Sequence, residues 1–267
     1  MMIKQTMLCT CALASSFSLA NMANAQDNLV LVHGAHFGAG SWETVTASLP
    51  KNIQTLAVDL PGRSESENAE HITLTSSAEA LCFELQNLRG NIHLAGHSQG
   101  GAVINQAVGL CPSTDIKSIT YITAVAPQIG ESAFSSLNKN DEENYFKGVS
   151  YNEATHRMVI SDNANFAKTF AQDATYQQSA LLATLSKSEP AHIAEDNISF
   201  KQSDMDKIEK HYVFANQDAI ISLASQLKIA KNAGIDSVYA LNTGHLPMLT
   251  DSEGLSDILN TVVSQQR

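Results

Sequence analysis

Five consecutive residues, Gly96-His97-Ser98-Gln99-Gly100, constrain this chain more than any other feature because of what flanks them. Asn91 to Ala95 reads as a short buried strand, and Ala102 to Leu110 as a helix. A G-x-S-x-G between strand and helix demands a turn so tight that side chains at either glycine would clash. Such a turn lifts the Ser98 hydroxyl above the carboxyl edge of a sheet. It also aims the Gln99 backbone N–H and the helix dipole at the same point. Ser98 is therefore the candidate nucleophile, and the Gln99 N–H a candidate oxyanion donor.

A serine hydroxyl is a weak nucleophile and needs a base beside it. In this strand-turn-helix setting the partners are expected in the order acid then histidine, each just after a strand. Asp218 follows an apolar run from His211 to Ala215, and His245 follows one from Ser237 to Leu241. His245 is the only histidine beyond Asp218, which nearly forces the assignment. Taken singly, Asp218 could be a helix N-cap and His245 a surface residue on the Thr243-Gly244 loop. Asp115 and Asp251 are the fallback acids. A glycine-rich stretch, His33 to Gly40, follows the first strand and offers the Ala35 N–H as second oxyanion donor. It carries neither phosphate-binding glycine pattern. His33 reads as a structural support of that loop and His97 as packing, while His36 could face the pocket or solvent.

Short apolar runs at Asn28 to Val32, Gln54 to Val58, Asn91 to Ala95 and Ile116 to Ala126 alternate with helical patterns such as Leu74 to Leu88. Thr75 or Ser76 is the expected N-cap of that helix, and Gly90 its stop. Strand-helix alternation predicts an α/β chain with a mostly parallel central sheet and helices on both faces. The pattern breaks over residues 128–201, which read as an inserted helical cap carrying Phe134, Tyr145, Phe146, Phe166, Phe170 and Tyr176. It resumes with His211 to Ala215, Ala219 to Ala233, Ser237 to Leu241 and Glu253 to Val263. Most of the cap aromatics are expected to form its small core, with some lining an apolar pocket.

The N-terminus reads as a signal peptide: a basic start at Lys4, an apolar run over Thr6 to Ala20, and Ala23-Asn24-Ala25 before the cut. That run, about 15 residues, is short for a membrane span. Residues 26–267 would then form a single domain, secreted or periplasmic. Cleavage takes the formal charge from −11 to −12, since Lys4 is the one charged residue removed. An acidic chain without basic clusters is not built for nucleic acid or anionic membrane surfaces. Cys82 and Cys111 remain of four cysteines and could pair in an oxidising compartment. Alternatively Cys82, in the apolar series Ala78, Leu81, Leu85, Leu88, is a buried thiol. Neither has a CxxC or Cys/His partner, so no metal is expected. The sequence leaves the oligomeric state open.

HGAHFGAGSW, DLPGRS, AGHSQGG, VFANQDAII and TGHLPML together resemble the α/β-hydrolase superfamily, especially its methylesterase/hydroxynitrile-lyase branch. The resemblance covers Leu29 to about Pro127 and His211 to the C-terminus. It implies the α/β-hydrolase fold and an esterase for small to medium apolar esters, acting through an acyl-enzyme on Ser98, His245 and Asp218 without cofactor. Lyases resembling this branch carry threonine at the position of Gly34 and lysine at that of Leu246, so the lyase reading ranks second. Lactonase or amidase chemistry on the same residues is a further alternative, as is an inactive ligand-binding homologue. Gln99 departs from the apolar residue commoner after the nucleophile.

Overall fold

The computed structural model describes residues 26–64, 68–111 and 115–265; the expected signal peptide, residues 1–25, lies outside them. The chain runs β1 (Asp27–Val32), α1 (Glu43–Ser48), β2 (Ile53–Val58), α2 (Leu74–Gln86), β3 (Asn91–His97), α3 (Gly100–Leu110) and β4 (Ile116–Ile122). Between β4 and the next sheet strand come α4 (Lys139–Tyr145), β5 (Val149–Asn152), β6 (Arg157–Ile160), α5 (Asn163–Phe170), α6 (Tyr176–Leu185), β7 (Glu189–Pro190), α7 (His192–Glu195) and α8 (Gln202–Met205). The main pattern then resumes with β8 (Glu209–Ala215), α9 (Leu223–Ala233), β9 (Ser237–Leu241), α10 (Pro247–Thr250) and α11 (Ser252–Gln265).

The main sheet has the order β2-β1-β3-β4-β8-β9, and every pairing in it is parallel. β1 is buried at all six positions, whereas the edge strand β9 alternates between half-buried and exposed. Central strands of a parallel sheet are covered on both faces and therefore read as continuous apolar runs. Right-handed crossovers put α1 on one face as the chain steps outward to β2, and α2 on the other as it steps back to β3. The helices pair accordingly, α1 against α11 and α2 against α3.

This reversal makes β1 and β3 neighbours with Val32 opposite Gly96, so the loops leaving both strands meet at one carboxyl edge. Such a switch point is where open α/β sheets bind ligands. The backbones approach so closely here that a Cβ on Gly100 would lie 2.6 Å from the Val32 carbonyl oxygen.

Several boundaries shift for local reasons. The N-cap of α2 is Thr73, whose side chain accepts from the Ser76 N–H; Ser76 is the reciprocal member of a capping box. α9 begins at Leu223 rather than Ala219, because the intervening residues turn to serve Asp218. β4 stops at Ile122, since Thr123 adopts φ +35°. Cys82 and Cys111 form a disulfide, with Cα atoms 5.2 Å apart, tying α2 to the end of α3.

The inserted region holds five short helices and also an antiparallel sheet, ordered β5-β6-β7, that the sequence reading did not include. Its strands are four, four and two residues long, too short to print a periodicity. No helix among the described residues is long and apolar enough to cross a membrane.

Candidate active site

Ser98 follows β3 directly and sits at φ +51°, a strained conformation for a non-glycine residue. Its backbone is fixed from both sides: its N–H donates to Ile122 O at 3.2 Å, and its carbonyl accepts from Val125 N–H at 3.1 Å. His245 lies in the loop after β9, and its Nε2 is 3.0 Å from Ser98 Oγ. Its Nδ1–H donates to Asp218 Oδ2 at 2.7 Å, which leaves Nε2 free to accept. Both side chains are 1 % exposed or less. The three residues, far apart in sequence, thus form one hydrogen-bonded line.

Asp218 combines the two roles that its position allowed. Oδ1 accepts from the N–H groups of Ile220 and Ile221 at 2.7 and 3.0 Å, as a local cap does. Oδ2 takes the imidazole and also the hydroxyl of Thr123. Thr123 was not foreseen; its β-branched side chain at positive φ is retained because its N–H also donates to Val213 O at 2.9 Å. The fallback acids lie elsewhere. Asp115 pairs with Lys117 at the surface, and Asp251 caps the start of α11 through the Gly254 N–H.

The His245 loop is pinned rather than free to swing. His97 Nε2–H donates to the His245 carbonyl at 2.7 Å, with the two rings 4.8 Å apart. His97 therefore does more than pack. Burial, and then the neighbouring His245, hold its pKa well below the usual value, so it stays a neutral donor. On the cap side, the Gly244 N–H donates to Asp173 at 2.8 Å, and Gln172 reaches the Gln217 carbonyl.

His33 supports its loop as expected: Nδ1–H donates to Gly34 O at 2.9 Å and Nε2 accepts from Leu60 N–H at 3.2 Å. Burial first, and Arg63 second, push its pKa down to about 4. His36 faces neither solvent nor an open pocket; Nδ1–H donates to Lys187 O and Nε2 accepts from the Tyr145 hydroxyl.

Above Ser98 lies a partly open cavity lined by Ala35, Ser98, Gln99, Val125, Ile220 and Ile221 from the sheet edge. The inserted region adds Ala133, Phe134, Leu137, Tyr145, Phe170 and Ala194. Of the cap aromatics, Phe166 instead stacks behind Phe170 at 4.1 Å, while Phe146 and Tyr176 are exposed. Among the described residues, no protein acceptor takes the backbone N–H of Ala35 or of Gln99, and both residues border the cavity. Two unspent donors beside an aligned hydroxyl and imidazole can stabilise a tetrahedral oxyanion. No group of side chains suited to a metal ion occurs among the described residues.

An alpha/beta hydrolase family model matches residues 29–258. A putative methylesterase from Arabidopsis thaliana is 25 % identical over 251 residues, covering 87 % of this chain and 63 % of its own length. The chain spans only 54–63 % of the first three such plant relatives. A probable hydrolase from Phoma is 26 % identical over 238 residues, covering 84 % of this chain and 88 % of that one. Among solved structures, a pyrethroid hydrolase from Sphingobium faniae superposes with TM-score 0.77 at 16 % identity, covering 89 % of this chain and 97 % of that one. A methylesterase from Arabidopsis gives 0.74 at 20 %, with 90 % and 99 % covered. The chain belongs to the alpha/beta hydrolase family.

Proposed function

We propose that the protein is a secreted or periplasmic serine esterase that cleaves small to medium, largely apolar carboxylic esters through an acyl-enzyme. The observation that carries this reading is the line from Ser98 Oγ through His245 to Asp218, at 3.0 and 2.7 Å, beneath a cavity bordered by two unspent N–H groups. Ser98 attacks the ester carbonyl while His245 Nε2 accepts its proton. Asp218 keeps the imidazole in the reactive tautomer and stabilises the cation that forms. The N–H groups of Ala35 and Gln99 take the oxyanion. His245 then returns the proton to the departing alcohol, and water repeats the steps on the acyl-enzyme.

A mostly apolar lining suits an uncharged, largely apolar ester rather than a charged substrate. Gly34 favours hydrolysis over cyanohydrin cleavage on steric grounds. A Cβ there would lie 2.7 Å from Ser98 Cβ and 2.8 Å from His97 Nδ1, which leaves no space for a threonine hydroxyl. Leu246 is buried and offers no ammonium. The Cys82–Cys111 bridge fits export to an oxidising compartment.

The test is a panel of p-nitrophenyl esters of graded acyl length, run beside mandelonitrile and a set of lactones, with Ser98→Ala as control. The expected result is turnover of short and medium esters that vanishes in Ser98→Ala. Turnover confined to mandelonitrile or lactones, or persisting in the variant, contradicts the proposal.

A further inference from the structure

Glu189 stands on β7, in the inserted region, with its side chain 2 % exposed. Its Oε1 accepts from the Gln99 side-chain amide at 2.8 Å and from Arg63 Nη2 at 3.0 Å. Its Oε2 accepts from the backbone N–H of His36 at 2.9 Å and from Arg63 Nη1. Four donors saturate a carboxylate. Two of them come from residues that matter to the reaction: His36 directly follows Ala35, and Gln99 directly follows Ser98. One carboxylate therefore grips both backbone segments that border the cavity with unspent N–H groups.

We infer that Glu189, neutralised by Arg63, is a positioning residue that sets the spacing of the Ala35 and Gln99 N–H groups; this rests on the esterase reading above. The loop between Gly34 and Phe37 is set by no helix or strand, and His36 within it is at φ +67°. Besides the His33 bond to Gly34 O and the two bonds of the His36 ring, its backbone is held by Glu189, by Lys187, whose N–H donates to His36 O at 2.9 Å, and by Arg63, which reaches Phe37 O at 3.2 Å. Oxyanion donors act only when held close to the transition-state position, and about 1 Å of displacement costs roughly 100-fold in rate. Burial, the largest single influence, opposes the charge on Glu189, but Arg63 and His36 together outweigh it and keep the carboxyl below its usual range. The pair therefore presents little net charge to a developing oxyanion.

The test uses the full protein, with kcat and KM measured on a p-nitrophenyl ester and competent sites counted by fluorophosphonate titration. Glu189→Gln removes the charge and keeps the shape. Gln99→Met releases the nucleophile turn while leaving Glu189, Arg63 and His36 in contact, so it carries the test if Glu189→Gln does not fold. Each is expected to lower kcat per titrated site roughly 10- to 100-fold with KM within about twofold, and the double variant to be far from additive. An unchanged kcat per site in Gln99→Met overturns the inference. So does a raised kcat in Glu189→Gln, since the exposed field of Arg63, and not geometry, would then govern the rate. An active wild type with unchanged variants removes only this inference. A wild type inert to every ester and to the probe removes the esterase reading and this inference with it.

Discussion

Asp218 and Glu189 are both buried carboxylates that accept four hydrogen bonds, yet the donors they face are of opposite kinds. Asp218 is served by two backbone N–H groups, a hydroxyl and an imidazole, none of them a permanent cation. Its charge finds a counter-charge only when His245 takes up a proton, which in the proposed mechanism happens on the reaction path. Glu189 is paired with a guanidinium at all times, so nothing about it changes as the reaction proceeds. On the proposed reading the same anchoring yields two devices: one responds to proton transfer, and the other holds geometry still. The desolvation cost of each charge is met by hydrogen bonds in the first case and by an ion pair in the second.

The comparison predicts its largest effect at Asp218. Asp218→Asn should lower kcat by about 10⁴-fold, because the amide favours the wrong imidazole tautomer. The thermal midpoint should move little, since Asn retains an acceptor for the Ile220 and Ile221 N–H groups. A drop of only about tenfold would show that Asp218 is a cap and not a partner in turnover.

Replacing both Cys82 and Cys111 by alanine should leave kcat unchanged while costing roughly 3–4 kcal/mol of stability, given the 29-residue separation that the bridge closes. Urea melts would read this directly. The loss separates fold support from both carboxylates, and altered ester turnover would mean that α2 and α3 tune the site.

Acid should act near the Arg63–Glu189 pair, through His33. The unfolded chain protonates His33 near its ordinary value of 6.5, whereas the folded site resists protonation down to about 4. Between those values the unfolded state binds more protons, so stability falls as pH falls. From about pH 7 to about pH 5 this histidine alone should cost about 2 kcal/mol. The check is the pH slope of the urea midpoint, which should flatten in His33→Asn. An unchanged slope would assign the acid sensitivity elsewhere.

Thr123→Val should give the smallest change, since Asp218 keeps three donors and loses one hydroxyl. The expected loss is about 1.5 kcal/mol, or roughly tenfold in kcat. No loss would mean that the hydroxyl only relieves strain at a residue with φ +35°.

Legibility followed the length of the local signal. The meeting of Ser98, Asp218 and His245 could be read because each stands just past a strand whose apolar run is plain, and the parallel order then forces them to one rim. The place of Ala35 beside the cavity was legible for the same reason, since it follows β1. Glu189 was not: it lies on a two-residue strand, 90 residues from Gln99 and 126 from Arg63, with no pattern to mark the approach. The small cap sheet was missed for the same cause. Thr123 looked like a continuation of β4, and only the backbone turn that frees its hydroxyl reveals what it does.

Whether Ser98 carries the acyl group is read from the mass of the intact protein during turnover of a slow p-nitrophenyl ester, quenched in acid and followed by peptide mapping. The expected result is one acyl group per chain, located on Ser98, appearing with a burst of nitrophenol and absent from His245→Ala. Turnover without any adduct, or an acyl group on a different residue, would contradict it.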